Sequence, residues 1–345
     1  MTLHACLLGQ AHTREHRRWS VPTNDSREWL RALGSGDVVS YQRAFADPAS
    51  IAGYDLALVE LTPATHSLPR FLKRRVPHVT CVGLVEGRVE YVVRSAGEME
   101  GLFQFAQAAD DPDLLGILVE RTLPYYRLYA RVPERVQWLG IPYPLDWTET
   151  LPRSAPGERI VIELASGLDS RNGVANVLIL RELQRRYPSV EGRVYPASRR
   201  ERSMLEAMGI RAELLQPRRW PDYYRLLRRD TFAILCMDDR RTWGRYALDA
   251  ASARVPYVGS RLSHAGERAG VLTCDPFDTA TAIEHLGRLI EERLQGRSDW
   301  YENVTARQYA VLHDYDDGAA RRRMQRALAA AGCPEPASRL EEVTA

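Results

Sequence analysis

The sequence predicts an α/β protein of two doubly wound parallel-sheet domains, and three observations carry that expectation. Short apolar, strand-like runs alternate with stretches of helical periodicity along most of the chain. A proline-rich passage near the middle interrupts both patterns. The 345 residues exceed one ordinary domain, which favours two separate cores.

In the first half the expected strands are 3–9, 38–41, 55–61, 78–84, 114–119 and 135–139, with helical segments around 27–33, 68–74, 97–109 and 124–131. The passage Gly140-Ile-Pro-Tyr-Pro-Leu-Asp146 and the prolines of 151–157 cannot continue a helix or a central strand, so the domain boundary is placed there. The second half repeats the alternation: strand 159–164, loop 165–173, helix 174–187, strand 192–195, helix 200–208, strand 211–215, helix 222–229 and strand 232–237. A helix and the short strand 255–259 follow, then three helical stretches over 279–331 and a small, charged tail over 334–345 that is expected to fray.

Composition excludes several classes. Apolar residues at 45% and charged residues at 27% are globular values, and no apolar run is long enough to cross a bilayer. The N-terminal run Leu3–Gly9 is short and lacks a basic leader, so it reads as a first buried strand, and the protein is expected in the cytoplasm. Cys6, Cys81, Cys236, Cys274 and Cys333 are scattered without a Cys-x-x-Cys pair and are expected as free thiols. Net charge is +2, with 16 basic and 16 acidic side chains in 1–145 and 31 and 29 in the remainder, so neither half looks like a polyanion-binding domain. Lys73 is the single lysine, and the arginines that replace the rest offer planar donors suited to phosphate.

The densest stretch is Trp243–Ser260, WGRYALDAASARVPYVGS. A helix opened by Gly244 and carrying one carboxylate, Asp249, feeds a short apolar strand, which is how a doubly wound sheet presents a helix N-terminus to a nucleotide. With the Pro-rich passage at 140–146, this block resembles GT-B glycosyltransferases, above all the family 4 type. The likeness covers roughly 136–330; the first half matches in element order only. It implies two Rossmann-like domains whose parallel sheets face across a cleft: 1–145 on the acceptor side, 146–298 binding the nucleotide-sugar, helices 299–332 packing back on the N-terminal domain, and a tail over 333–345.

Three sites carry the implied chemistry. The loop with Gly167, Ser170, Arg171, Asn172 and Gly173 joins a strand to a helix whose free N–H groups suit a diphosphate. Arg171 stands near the place of the family's phosphate-binding lysine, while Leu168 stands where an arginine is usual; the alternative is a capped loop with a surface arginine. Family 4 enzymes carry two glutamates eight positions apart, the first toward the sugar and the second toward the ribose; here Arg241 and Asp249 hold those positions. The alternative for Asp249 is an exposed ion pair with Arg245. At the third site Gly244 admits close approach of a phosphate and Arg245 supplies a bidentate fork, unless Gly244 merely starts a helix. In this fold the base commonly lies against the strand–loop region before that helix, which places it here near Met237 in 236–239 and, further back, against 218–224.

In the first half, Glu60 and Glu86 follow apolar strands and His66 lies in the loop after the first. Glu86 or His66 is expected to take a proton from the acceptor, against a structural role for each. Asn24–Ser26 reads as part of a polar first loop or as a helix cap. The run 218–229 interleaves basic and aromatic side chains, read as an amphipathic helix in preference to a nucleic-acid stacking surface. His12 and His16 are four apart without a converging third ligand, so no metal site is expected. The first strand lacks Gly-x-Gly-x-x-Gly, against a plain dehydrogenase.

The expected function is transfer of a sugar from a nucleotide diphosphate donor, with UDP-sugar as substrate and no separate cofactor, to a hydroxyl of a glycan, a small molecule or a modified DNA base. Two alternatives stand beside it. VPYVGS, the arginine-rich surface and the terse first domain resemble glycosyltransferase-like proteins of tailed bacteriophages, which implies a hydroxymethylated base as acceptor. Loss of the first family carboxylate instead implies a non-catalytic nucleotide-binding protein on the same fold.

Overall fold

The computed structural model describes residues 3–9, 22–23, 25–34, 36–62, 64–85, 109–152, 159–165, 172–195, 199–239 and 243–342. They form two compact units, Met1–Pro144 with Asp314–Ala345, and Leu145–His313.

The first unit is a six-stranded parallel sheet of β1 (Ala5–Gly9), β2 (Gly36–Ser40), β3 (Leu56–Glu60), β4 (Thr80–Val85), β5 (Leu114–Ile117) and β6 (Val136–Trp138), in the order β2-β1-β3-β4-β5-β6. Its helices include α1 (Glu28–Ala32), α2 (Tyr41–Ala46), α3 (Leu68–Arg75) and α4 (Leu123–Tyr129). The strands are apolar on both faces because helices cover both. Leu3, Ala5 and Leu7 join Trp29 and Leu30 of α1 in one cluster, while Cys6 and Leu8 point the other way into a cluster with Ala44 of α2 and Leu68 and Leu72 of α3. The expected helix over 97–109 falls outside the described residues except for Ala109.

The second unit opens with α5 (Leu145–Thr150) and continues through β7 (Ile160–Ala165), α6 (Gly173–Arg186), β8 (Val190–Tyr195), α7 (Arg199–Ala207), β9 (Ala212–Leu214), α8 (Trp220–Asp230), β10 (Ala233–Cys236), α9 (Arg245–Ala253), β11 (Tyr257–Ser260), α10 (His264–Ala269), β12 (Thr273–Cys274), α11 (Thr279–Leu294) and α12 (Asp299–Ala310). Its sheet is parallel with the order β12-β11-β10-β7-β8-β9. One large core joins β7, β8 and β10 to Val177, Ile179, Leu180 and Leu183 of α6 and to Leu286, Leu289 and Ile290 of α11. Helix α9 ends at Arg254 in the left-handed conformation, φ 59°, a place that usually favours glycine. Its guanidinium lies 3.4 Å over the Tyr309 ring, which offsets part of that strain.

The C-terminal helices divide between the two units, and α12 belongs to the second. Gln308 holds it there: its Oε1 accepts from the Tyr257 N–H and its Nε2 donates to the Tyr257 carbonyl, both at 2.9 Å, satisfying backbone groups at the start of β11 that β12 is too short to reach. Helix α13 (Asp317–Ala330) packs within the first unit, where Ala320, Met324, Ala327 and Leu328 join the cluster under β1. Arg323 donates from Nε to the Leu139 carbonyl at 2.9 Å and lies 4.7 Å over Trp138. The tail is not frayed over most of its length: α14 (Pro334–Glu342) places Ala337 and Leu340, three apart on one face, in the same cluster. All five cysteines are free, as expected. Among the described residues no helix is long and apolar enough to cross a membrane.

Candidate functional site

Strand order decides where a ligand can sit in the second unit. The chain runs from β7 outward through β8 and β9, then crosses back to β10 on the opposite side of β7 before continuing to β11 and β12. The connections after β7 and after β10 therefore diverge, which opens a crevice at the carboxyl ends of those two strands. Helix α6 begins beyond β7 and α9 beyond β10. Each leaves unbonded N–H groups and a positive dipole end there.

Two asparagines tie this edge together. Asn172 caps α6 in a left-handed conformation, φ 58°, and its Nδ2 donates to the Pro276 carbonyl at 2.6 Å. Asn176, fully buried one turn further on, accepts the Met237 N–H at 2.9 Å, fastening the first turn of α6 to the end of β10. Gly173 is buried as the first residue of α6. Met237, expected beside the base, is fully buried, with its sulfur 3.9 Å from Cys274 Sγ. It follows β10 directly, and its side chain joins the large core of this unit.

Beyond β10, Trp243 stacks on His264 with ring centroids 6.3 Å apart, and Gly244 caps α9 at φ 83°. A β-carbon on Gly244 would overlap Ser263 Oγ and come within 3.1 Å of Ala265 N, so glycine is required by conformation and by space together. Ser263 is itself fixed, its Oγ accepting from Gly266 N at 3.2 Å as the cap of α10.

Arg245 and Asp249 form the ion pair that stood as the alternative for Asp249, Nε to Oδ1 at 3.2 Å, but it is largely withdrawn from solvent: the side chains are 10% and 2% exposed. The reading of an exposed pair is corrected on this point, because α8 packs over it. Trp220, first residue of α8, donates from its indole N–H to the same Oδ1 at 3.1 Å and presents its ring 4.7 Å from the Arg245 guanidinium. Trp220, Tyr223, Tyr224 and Leu227 are all buried, so the aromatic rings of 218–229 are not a stacking surface for bases.

Behind this pair lies a charged cluster that the sequence reading missed. Glu163 in the middle of β7 is fully buried and accepts from Tyr223 Oη at 2.5 Å. Burial pushes its carboxyl up to about 7, and the nearby Asp249 adds to this, against the lowering effects of Tyr223, Arg193 and Thr231. Arg193 of β8 reaches Thr231 at 3.0 Å and Glu213 at 3.1 Å. A lone acid in the run Ile-Val-Ile-Glu-Leu-Ala and a lone amide in Gly-Val-Ala-Asn-Val-Leu were the sequence signals for Glu163 and Asn176.

Gly167, Ser170, Arg171, Arg241 and Glu86 lie outside the described residues, as do His12, His16 and Asn24. His66 belongs to the first unit, half-buried in the turn beyond β3, where Thr65 Oγ1 accepts the Thr62 N–H at 2.8 Å. Among the described residues no group of three or more metal-ligating side chains occurs.

No protein-family profile matches the sequence, and no curated protein is similar to it in sequence. Solved structures are similar in fold. HepE from Anabaena, solved in complex with UDP, superposes with a TM-score of 0.71 over 95% of this chain and 100% of its own, at 11% identity. The chain has the GT-B fold. Sucrose-phosphate synthase from Thermosynechococcus elongatus matches with a TM-score of 0.69 over 95% of this chain and 100% of that one at 12% identity. The α,α-trehalose 6-phosphate synthase from Burkholderia multivorans gives 0.66 over 97% and 100% at 11% identity.

Proposed function

We propose that this protein is a glycosyltransferase that moves a sugar from a UDP-sugar to a hydroxyl acceptor. The observation that carries the reading is the meeting of the α6 and α9 N-termini at the carboxyl edges of β7 and β10, in a GT-B chain that superposes on UDP-bound HepE over 95% of its length.

In this reading the diphosphate lies against the first turns of α6 and α9. Gly244 lets the backbone approach it, and Arg171 and Arg245 supply guanidinium donors. As the bond between the anomeric carbon and the diphosphate breaks, negative charge grows on the leaving oxygen. Donors already fixed in place bind that charge more strongly than the ground state, which lowers the barrier without calling on a metal ion. The acceptor hydroxyl attacks the anomeric carbon and its proton passes to Glu86 or His66.

The geometry favours a different task for Asp249 than the ribose contact the family resemblance implies. Its Oδ1 already takes two donors, Trp220 and Arg245. The side chain is also only 2% exposed, which leaves little of the carboxylate open to a ribose hydroxyl. Holding Arg245 in place is the better-supported role. The buried rings of α8 lend no support to a DNA acceptor.

The test is incubation with UDP-, GDP- and TDP-sugars and a panel of acceptors, following free nucleotide, with and without EDTA. Release from UDP-sugars that EDTA leaves unchanged is the expected result. Binding of UDP without release from any donor would favour the non-catalytic alternative, and no nucleotide binding would overturn the reading.

A further inference from the structure

We infer that Trp220 positions Arg245 for the diphosphate, an inference that rests on the donor-site reading above. Trp220 lies at the start of a helix read from sequence as amphipathic cover. It touches Arg245 and Asp249 in two ways at once. Its indole N–H donates to Asp249 Oδ1 at 3.1 Å, the atom that Arg245 Nε also uses, and its ring lies 4.7 Å from the guanidinium. One side chain thereby fixes both the carboxylate that orients the guanidinium and the surface on which it rests.

The place of these residues gives the arrangement its purpose. Trp220 begins α8 beyond β9 and Arg245 begins α9 beyond β10, so both stand at the carboxyl edge of the parallel sheet, the edge on which the crevice opens. An arginine left to itself samples many rotamers, and holding it in one before the ligand arrives removes that ordering cost from binding. Trp220 is fixed in turn by its neighbours. Trp147 of α5 packs 5.2 Å from its ring, Tyr224 lies 5.4 Å away, and Pro221 occupies the first turn of the helix. Purely structural packing would need the ring alone; the indole N–H on Asp249 is the feature that specifies a donor.

The experiment is a double-mutant cycle on UDP affinity by calorimetry, using the full chain with Trp220→Phe, Arg245→Ala and the pair, joined to a rescue assay. Phe keeps the ring face and loses the N–H; Trp220→Tyr takes its place in the cycle if the Phe variant does not fold. Arg245→Ala is expected to weaken UDP binding about tenfold or more and Trp220→Phe about three- to tenfold, with the double variant no weaker than Arg245→Ala alone. Millimolar guanidinium is expected to restore affinity to Arg245→Ala and not to the double variant. Losses that add, or equal rescue in both backgrounds, would overturn the role of Trp220 while leaving the donor site intact. Wild-type protein that binds no UDP would overturn both.

Discussion

Gly244 and Ser263 approach so closely that no side chain fits between them. Gly244 holds φ 83° at the start of α9, and a β-carbon there would overlap the Ser263 hydroxyl that caps α10. Gly244→Ala therefore meets both a forbidden backbone region and a clash with a fixed oxygen. The expected loss is about 1–3 kcal/mol, read as a lower thermal midpoint, with UDP affinity falling further than the midpoint implies. An Ala variant of wild-type stability and affinity would count against the close-approach role.

Glu163 predicts the direction of pH dependence. Its carboxyl is pushed up to about 7 from an ordinary 4.5, mainly by burial. Below about 4.5 the group is protonated in the folded and unfolded chain alike. Between about 4.5 and 7 the unfolded chain releases a proton that the folded chain keeps, so stability declines as pH rises, and the loss is complete above about 7. The total is on the order of 3 kcal/mol. Urea midpoints from pH 5 to pH 8 should show this decline in the wild type and a flatter profile in Glu163→Gln.

Leu340 tests the C-terminal helix. It is fully buried in the cluster beneath β1 together with Ala337 and Leu328. Leu340→Ala should cost about 2–5 kcal/mol in chemical denaturation, the range for emptying a buried leucine site. A change within a few tenths of a kcal/mol would return 334–342 to the status of a tail.

Gln308 makes a stronger claim on α12. Its side chain answers both backbone groups of Tyr257 at 2.9 Å. Gln308→Ala leaves two buried strand groups unanswered, at about 1–3 kcal/mol each. Hydrogen exchange at the Tyr257 amide should accelerate more than at Ile234 in the neighbouring strand.

The sequence by itself determined the fold and the neighbourhood of the candidate site. Alternation of apolar strands with helices marks a parallel sheet from local periodicity alone, and the Gly244–Ser260 block announces a strand–helix junction through its glycine, its small residues and its proline. Only the tertiary structure decided how the side chains are used. Asp249 and Arg245 are four apart in sequence, so their pairing was legible; its burial was not, because Trp220 lies 29 residues away and arrives only when α8 docks. The same holds for Met237, Leu340 and Gln308, whose roles depend on which element covers them. Periodicity is a property of neighbours along the chain, whereas burial and pairing are set by residues distant in sequence that packing brings together.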